Sequence, residues 1–150
     1  MASPRDYKNT IIPNWCSGCG DYGIQNAISA VCAKKGWANE DITLISGIGC
    51  SSRIGGYQYC YGAHTTHGRA LPFAQGIKCA NKDTHMIVCS GDGDSYAIGL
   101  GHAMHAMKRN MDITYLVFDN QVYGLTKGQT SPASSQGFVT KTTPDGSPMT

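Results

Sequence analysis

The sequence is poor in charge, and Glu40 is its only glutamate. Charged residues make up 15% and the net charge is +2, with no run of Lys or Arg. Such a balance gives no electrostatic basis for gripping nucleic acid or an anionic membrane. No heptad pattern is present, and no apolar stretch reaches the roughly 18 residues that span a bilayer. The opening residues, Met1 to Asp6, are polar. They lack an apolar signal core, so a reducing, cytoplasmic setting is expected. There is no internal repeat and no linker, which leaves one domain over residues 1–150. No Walker-type Gly-Lys-Ser/Thr occurs, and neither Gly91-Asp92-Gly93-Asp94 nor Gly47-Ile48-Gly49-Cys50 has the third glycine of a dinucleotide fingerprint.

What the chain does have is glycine and cysteine. Its 19 Gly imply tight turns or backbone lying close to a ligand. Its seven Cys, without a secretory signal, point to metal or redox chemistry rather than disulfides. Cys16, Cys19 and Cys50 lie in Gly-rich loops, Cys60 is ambiguous, and Cys32, Cys79 and Cys89 read as small buried hydrophobes.

Apolar spacing predicts a helix over 21–35, with Asp21 as its cap and Gly36 as its stop. A short strand follows at 42–45, then a helix near 69–81, a buried strand at 85–89, a helix from Ser95 to Arg109 and a strand at 113–118. The stretch 53–66 has no clear pattern. From about 130 the chain is polar and expected to fold weakly, as a loop packed elsewhere or the cut end of a longer protein. Strands alternating with helices predict an α/β fold: an open parallel sheet flanked by helices.

Ligands of such sheets bind beyond the carboxyl ends of the strands. Two strands here run into polar loops, Gly91-Asp92-Gly93-Asp94 and Asp119-Asn120-Gln121-Val122-Tyr123-Gly124. If the strands are neighbours, Asp92, the Asn120 amide and a main-chain carbonyl near Val122 would meet. That is an oxygen set suited to Mg²⁺, which completes its shell with phosphate and water. Gly91 and Gly93 would let backbone N–H groups approach a diphosphate, helped by the helix beginning near Ser95. Cys16-Ser17-Gly18-Cys19 with Cys50 would hold three irons of a 4Fe-4S cluster. A Zn site and a redox dithiol are the rivals.

Taken together, four blocks resemble the thiamine diphosphate-binding beta subunits of 2-oxoacid:ferredoxin oxidoreductases, over about Trp15 to Pro132. They are Trp15-Cys16-Ser17-Gly18-Cys19-Gly20, Gly47-Ile48-Gly49-Cys50-Ser51-Ser52-Arg53, Thr66-His67-Gly68-Arg69-Ala70-Leu71-Pro72, and Gly91-Asp92-Gly93-Asp94 through Asp119-Asn120 to Thr126. The resemblance implies the thiamine diphosphate-binding fold, with an iron–sulfur loop at about 14–20. It implies Mg²⁺ on Asp92, Asn120 and the Val122 carbonyl, and the cluster on Cys16, Cys19 and Cys50. Thiamine diphosphate would contact Ile48, Gly49, Cys50, Ser51, His67, Gly93, Asp94, Gly124 and Leu125. Arg53 and Leu125 would lie near the substrate. No residue of this chain is expected to be catalytic, because the activating glutamate belongs to an alpha subunit. Family members are longer and supply the fourth cluster cysteine later, so a truncated domain is expected.

The implied reaction is oxidative decarboxylation of a 2-oxoacid to an acyl-CoA and CO₂, with ferredoxin taking the electrons. Arg53 favours 2-oxoglutarate, with pyruvate next. Two other readings stand: a non-oxidative thiamine enzyme, which needs no such cysteines, and a small Cys-rich metal or electron-transfer module, which needs no Asp92–Asn120 pair.

Overall fold

The computed structural model describes residues 2–148. Four parallel strands form one sheet in the order β2-β1-β3-β4: β1 (Ile42–Ser46), β2 (Tyr61–His64), β3 (His85–Gly91) and β4 (Thr114–Phe118). A two-stranded antiparallel ribbon, β5 (Val122–Tyr123) and β6 (Gln129–Thr130), follows β4. The helices are α1 (Asp21–Lys35), α2 (Ala70–Ala80) and α3 (Leu100–Arg109).

Alternation along the strands divides the core into two layers. Leu44, Ile87 and Cys89 face one way and pack with Ile28 and Cys32 of α1, and with Trp15, Ile54 and Tyr57. Ile45, Met86 and Val88 face the other way and pack with Leu71 and Ala74 of α2 and Ala103 of α3. β3 is central and buried along almost its whole length, which explains its unbroken apolar run.

The chain builds outward from β1 to β2, then α2 carries it back across to β3 on the other side. The order therefore reverses between β1 and β3. At such a switch point the loops leaving the two strands part and open a crevice.

Several local expectations need correction. Gly20, not Asp21, occupies the cap position of α1, and Asp21 is its first residue. Gly36 does end α1, at φ 67°. Ser95 does not open an α-helix: Asp94–Ile98 forms a π-helical turn, and α3 begins at Leu100. The unassigned stretch holds a 3-10 helix, Ser51–Gly56, and edge strand β2. Cys79 is exposed on α2, whereas Cys32 and Cys89 are buried as expected. Among the described residues, no helix is long and apolar enough to cross a membrane.

The thiols should differ sharply in reactivity, because the thiolate is the nucleophile. Burial pushes the Cys32 and Cys89 thiols up, and Cys60 up to about 11; Cys60 is also raised by Cys32, and Cys89 by Cys60. At pH 8 roughly one Cys60 in a thousand would be thiolate. In the metal-free protein, iodoacetamide is expected to label Cys16 and Cys79 first, and to leave Cys32, Cys60 and Cys89 unmodified until unfolding. Peptide mass mapping reads this out, and labelling of Cys89 as fast as Cys79 would contradict the packing.

Candidate cofactor and metal site

Loops leaving β1, β3 and β4 meet the N-terminal segment around Trp15–Asp21 and enclose a cavity of about 700 Å³. That lies within the size range of small-molecule and cofactor sites, about 300–1,000 Å³. Cys16, Cys19, Ile48, Gly49, Cys50, Ser51, Arg53, His67, Asp92, Gly93, Asp94, Asn120, Val122, Gly124 and Leu125 all line it. The residues singled out in the sequence thus come together in one place. Glu40 does not. It is exposed in the turn that precedes β1, at the opposite end of the sheet.

Asp92 follows directly on β3 in a buried position, 2% exposed. Among the described residues one donor reaches its carboxylate, the Ser131 hydroxyl at Oδ2. Asp119 and Asn120 shape the next loop through their own side chains, as such residues do at turns. The Asp119 carboxylate accepts from the Gln121 N–H (3.0 Å) and the Asn120 amide oxygen from the Val122 N–H (3.2 Å). Gln121 takes a left-handed conformation between them, φ 60°. An amide oxygen that accepts one bond retains a second lone pair.

A buried carboxylate with one oxygen lacking a protein donor, an amide oxygen and a strand-end carbonyl make a donor set that fits Mg²⁺ with phosphate. Among the described residues, no group of three His, Cys, Asp or Glu is placed to hold a metal ion. That holds for Cys16, Cys19 and Cys50 as well as for the oxygen set, which contains only one such residue.

Asp94 lines the cavity, but its carboxylate serves as a junction between loops. Its Oδ1 accepts from His67 Nδ1 (2.5 Å), the Gly68 N–H (2.7 Å) and the Ile48 N–H (3.2 Å), and its Oδ2 from the Ser90 hydroxyl (2.7 Å). It ties the loop after β1 and the loop before α2 to the end of β3. Because a carboxylate only accepts, His67 carries a proton on Nδ1, and among the described residues Nε2 has no protein partner.

Gly93 is required for a reason invisible in the sequence. A Cβ there would fall 2.2 Å from Cε1 of Tyr123. The Tyr123 hydroxyl donates to the Gly93 carbonyl (3.1 Å), and its ring meets His67 edge-on at 6.0 Å. Burial, then the charges of Asp92 and Asp94, raise the Tyr123 phenol and keep it a donor. Tyr123 was legible only as part of a motif.

The cysteine loop is anchored by Trp15, whose indole N–H donates to the Cys50 carbonyl (2.7 Å). Tyr22 and Tyr57 pack edge-on against the Trp15 ring at 5.2 and 5.0 Å. Gly18, at φ 78°, turns the chain so that the Cys19 N–H donates to the Cys16 carbonyl (3.0 Å). Cys16 is exposed, while Cys19 and Cys50 are half-buried. Burial raises the Cys50 thiol, reinforced by Asp21, Cys16 and Cys19 and opposed by Arg53. These groups therefore lie within electrostatic reach of one another. In a 4Fe-4S cluster each cysteine takes a different iron, so the thiols need not converge on one point as they would around Zn²⁺. Asp21, read from sequence as a cap, also lines the cavity.

A family model described as the thiamine pyrophosphate enzyme C-terminal TPP binding domain matches residues 47–149. The chain belongs to this family. Among its relatives, the 2-oxoglutarate oxidoreductase subunit KorB of Mycobacterium tuberculosis is 48% identical, over 95% of this chain and 38% of that protein. The 2-oxoglutarate synthase subunit KorB of Methanocaldococcus jannaschii is 46% identical, over 89% of this chain and 49% of its own length. A solved 2-oxoglutarate:ferredoxin oxidoreductase from Magnetococcus marinus, with 2-oxoglutarate, coenzyme A and succinyl-CoA bound, superposes with a TM-score of 0.96. It is 44% identical, over 98% of this chain and 50% of that one. The chain thus spans about half the length of the thiamine pyrophosphate family relatives it matches.

Proposed function

We propose that this chain is the thiamine diphosphate-binding part of a 2-oxoacid:ferredoxin oxidoreductase beta subunit, working in the cytoplasm with an alpha subunit. The observation that carries the reading is one cavity lined by Asp92, Asn120 and Val122 and also by Cys16, Cys19 and Cys50. A non-oxidative thiamine enzyme has no use for three thiols there, and a Cys-rich carrier has no use for the oxygens.

Asp92, Asn120 and the Val122 carbonyl would hold Mg²⁺ on the diphosphate. Ile48, Gly49, Cys50 and Ser51, on the loop leaving β1, would flank the cofactor with Gly124 and Leu125 from the loop after β4. His67, with its proton fixed on Nδ1, would present Nε2 to the same ligand, and Asp94 would act through His67 and the loop backbone. Cys16, Cys19 and Cys50 would ligate a 4Fe-4S cluster. Their thiols must be deprotonated to do so, which makes loading weaker as pH falls. Thiamine diphosphate, when bound, supplies the electron sink that lets a 2-oxoacid lose CO₂. A cluster held by Cys16, Cys19 and Cys50 would supply one-electron transfer, with ferredoxin as the proposed acceptor and coenzyme A as the proposed acyl acceptor.

Arg53 is exposed on the cavity wall, with its Nε donating to the Tyr57 hydroxyl (3.2 Å). The outer guanidinium nitrogens would meet a substrate carboxylate, and Leu125, which lines the same cavity, would add an apolar contact. A second carboxylate favours 2-oxoglutarate over pyruvate.

The test is anaerobic viologen or ferredoxin reduction by the full-length subunit, co-expressed with its genomic neighbour, with both acids in parallel. Coenzyme A-dependent reduction that requires thiamine diphosphate and Mg²⁺, faster with 2-oxoglutarate, is expected. No reduction from a complex loaded with cluster and cofactor would favour the non-oxidative enzyme.

A further inference from the structure

We infer that a serine turn, Ser131 to Ser134, positions both arms of the cation site. Ser131 orients the Asp92 carboxylate, and Ser134 holds the loop that carries Asn120 and Val122. The inference rests on the cation reading above.

The sequence gives this polar stretch no apolar anchor, yet Ser131 is 0% and Ser134 4% exposed. Their bonds account for the burial. The Ser131 hydroxyl donates to Asp92 Oδ2 and accepts from the Ala133 N–H (3.2 Å). The Ser134 hydroxyl accepts from the Ser131 N–H (2.8 Å) and donates to the Gln121 carbonyl (2.5 Å). The Ser134 N–H closes the turn on the Ser131 carbonyl (3.0 Å). Each hydroxyl gives one bond and takes one, so neither can rotate without stranding a buried group.

The geometry divides the work. With Oδ2 held by Ser131, Oδ1 is the Asp92 oxygen left for a cation. Gln121 lies between Asn120 and Val122 in left-handed backbone, φ 60°. A bond to its carbonyl fixes how the neighbouring amide and carbonyl are presented. Partners of this kind, one step removed from a metal, set ligand orientation and tune affinity. Ser131 and Ser134 are therefore positioning residues.

The experiment uses the full-length subunit in complex with its partner, and Mn²⁺ in place of Mg²⁺. Free Mn²⁺ is followed by electron paramagnetic resonance in the presence of thiamine diphosphate. Ser131→Ala is expected to raise the Mn²⁺ dissociation constant by about 10-fold or more. Its turnover should return towards wild type at saturating Mg²⁺, which a folding defect would not permit. An unchanged constant overturns the inference and leaves the proposed function standing. If Ser131→Ala does not assemble, Ser134→Ala decides. It leaves the Asp92 bond in place, so a raised constant supports the inference and an unchanged one overturns it. Wild-type complex that binds no Mn²⁺ refutes the cation reading itself, and the inference with it.

Discussion

Asp92→Ala in the full-length subunit is expected to lower turnover at ordinary Mg²⁺ by more than about 100-fold, beyond the loss typical of a residue one step removed from a metal. Asp92 is the only anionic oxygen donor in the proposed set, and Asn120 and Val122 offer neutral oxygens alone. Mg²⁺ sheds water reluctantly and depends on one or two carboxylates with its phosphates. The same substitution strands the fully buried Ser131 hydroxyl, at a cost of about 1–3 kcal/mol. Asp92→Asn separates the two effects. Its amide oxygen still accepts from Ser131, so stability should stay near wild type while the charge is lost. Turnover across a Mg²⁺ titration, with denaturation curves of both variants, makes the comparison. Wild-type Mg²⁺ dependence in Asp92→Asn would remove Asp92 from the cation site.

Much of this site is legible in the sequence because strands and ligand loops alternate. Ile113 to Phe118 and His85 to Cys89 read as strands from composition, and each runs straight into its polar loop. Once the strands are parallel neighbours, the loops must meet at one end. Helix 21–35 is equally plain, since Ile24, Ile28 and Cys32 repeat along one face. What escaped has a common cause. Strand β2, Tyr61–His64, is an edge strand with three of its four residues exposed, so burial left no pattern on it. Ser131 and Ser134 are buried by hydrogen bonds rather than by hydrophobicity, and polarity in a sequence reads as surface. Asp94 belongs to a recognisable loop, but only the fold shows that protein donors occupy its carboxylate. Gly93 reads as room for a phosphate, and the fold adds that its missing side chain makes room for the Tyr123 ring.

Asp94→Ala tests that junction, and its largest effect should be on stability. Four donors converge on one carboxylate that is 2% exposed. The Ser90 hydroxyl and the Gly68 N–H are buried and would lose their acceptor outright. His67 and Ile48 are partly open to solvent and would recover water in part. Two buried orphans at about 1–3 kcal/mol each place the loss at about 2–6 kcal/mol. Gly47→Ala reaches the same junction from the other side, because its Cβ would fall 1.8 Å from Asp94 Oδ2. Gly47 leaves β1 with its N–H bonded to the Cys89 carbonyl, so the carboxylate must yield rather than the backbone. Both variants should unfold at lower denaturant concentration with an unchanged slope, and both should free the loop after β1 that carries Ile48 to Ser51. Asp94→Asn keeps an acceptor on one side only and should fall between them and wild type. If Asp94→Ala stays within about 1 kcal/mol of wild type, its four bonds do not hold the loops, and Asp94 is then open to face the cofactor directly.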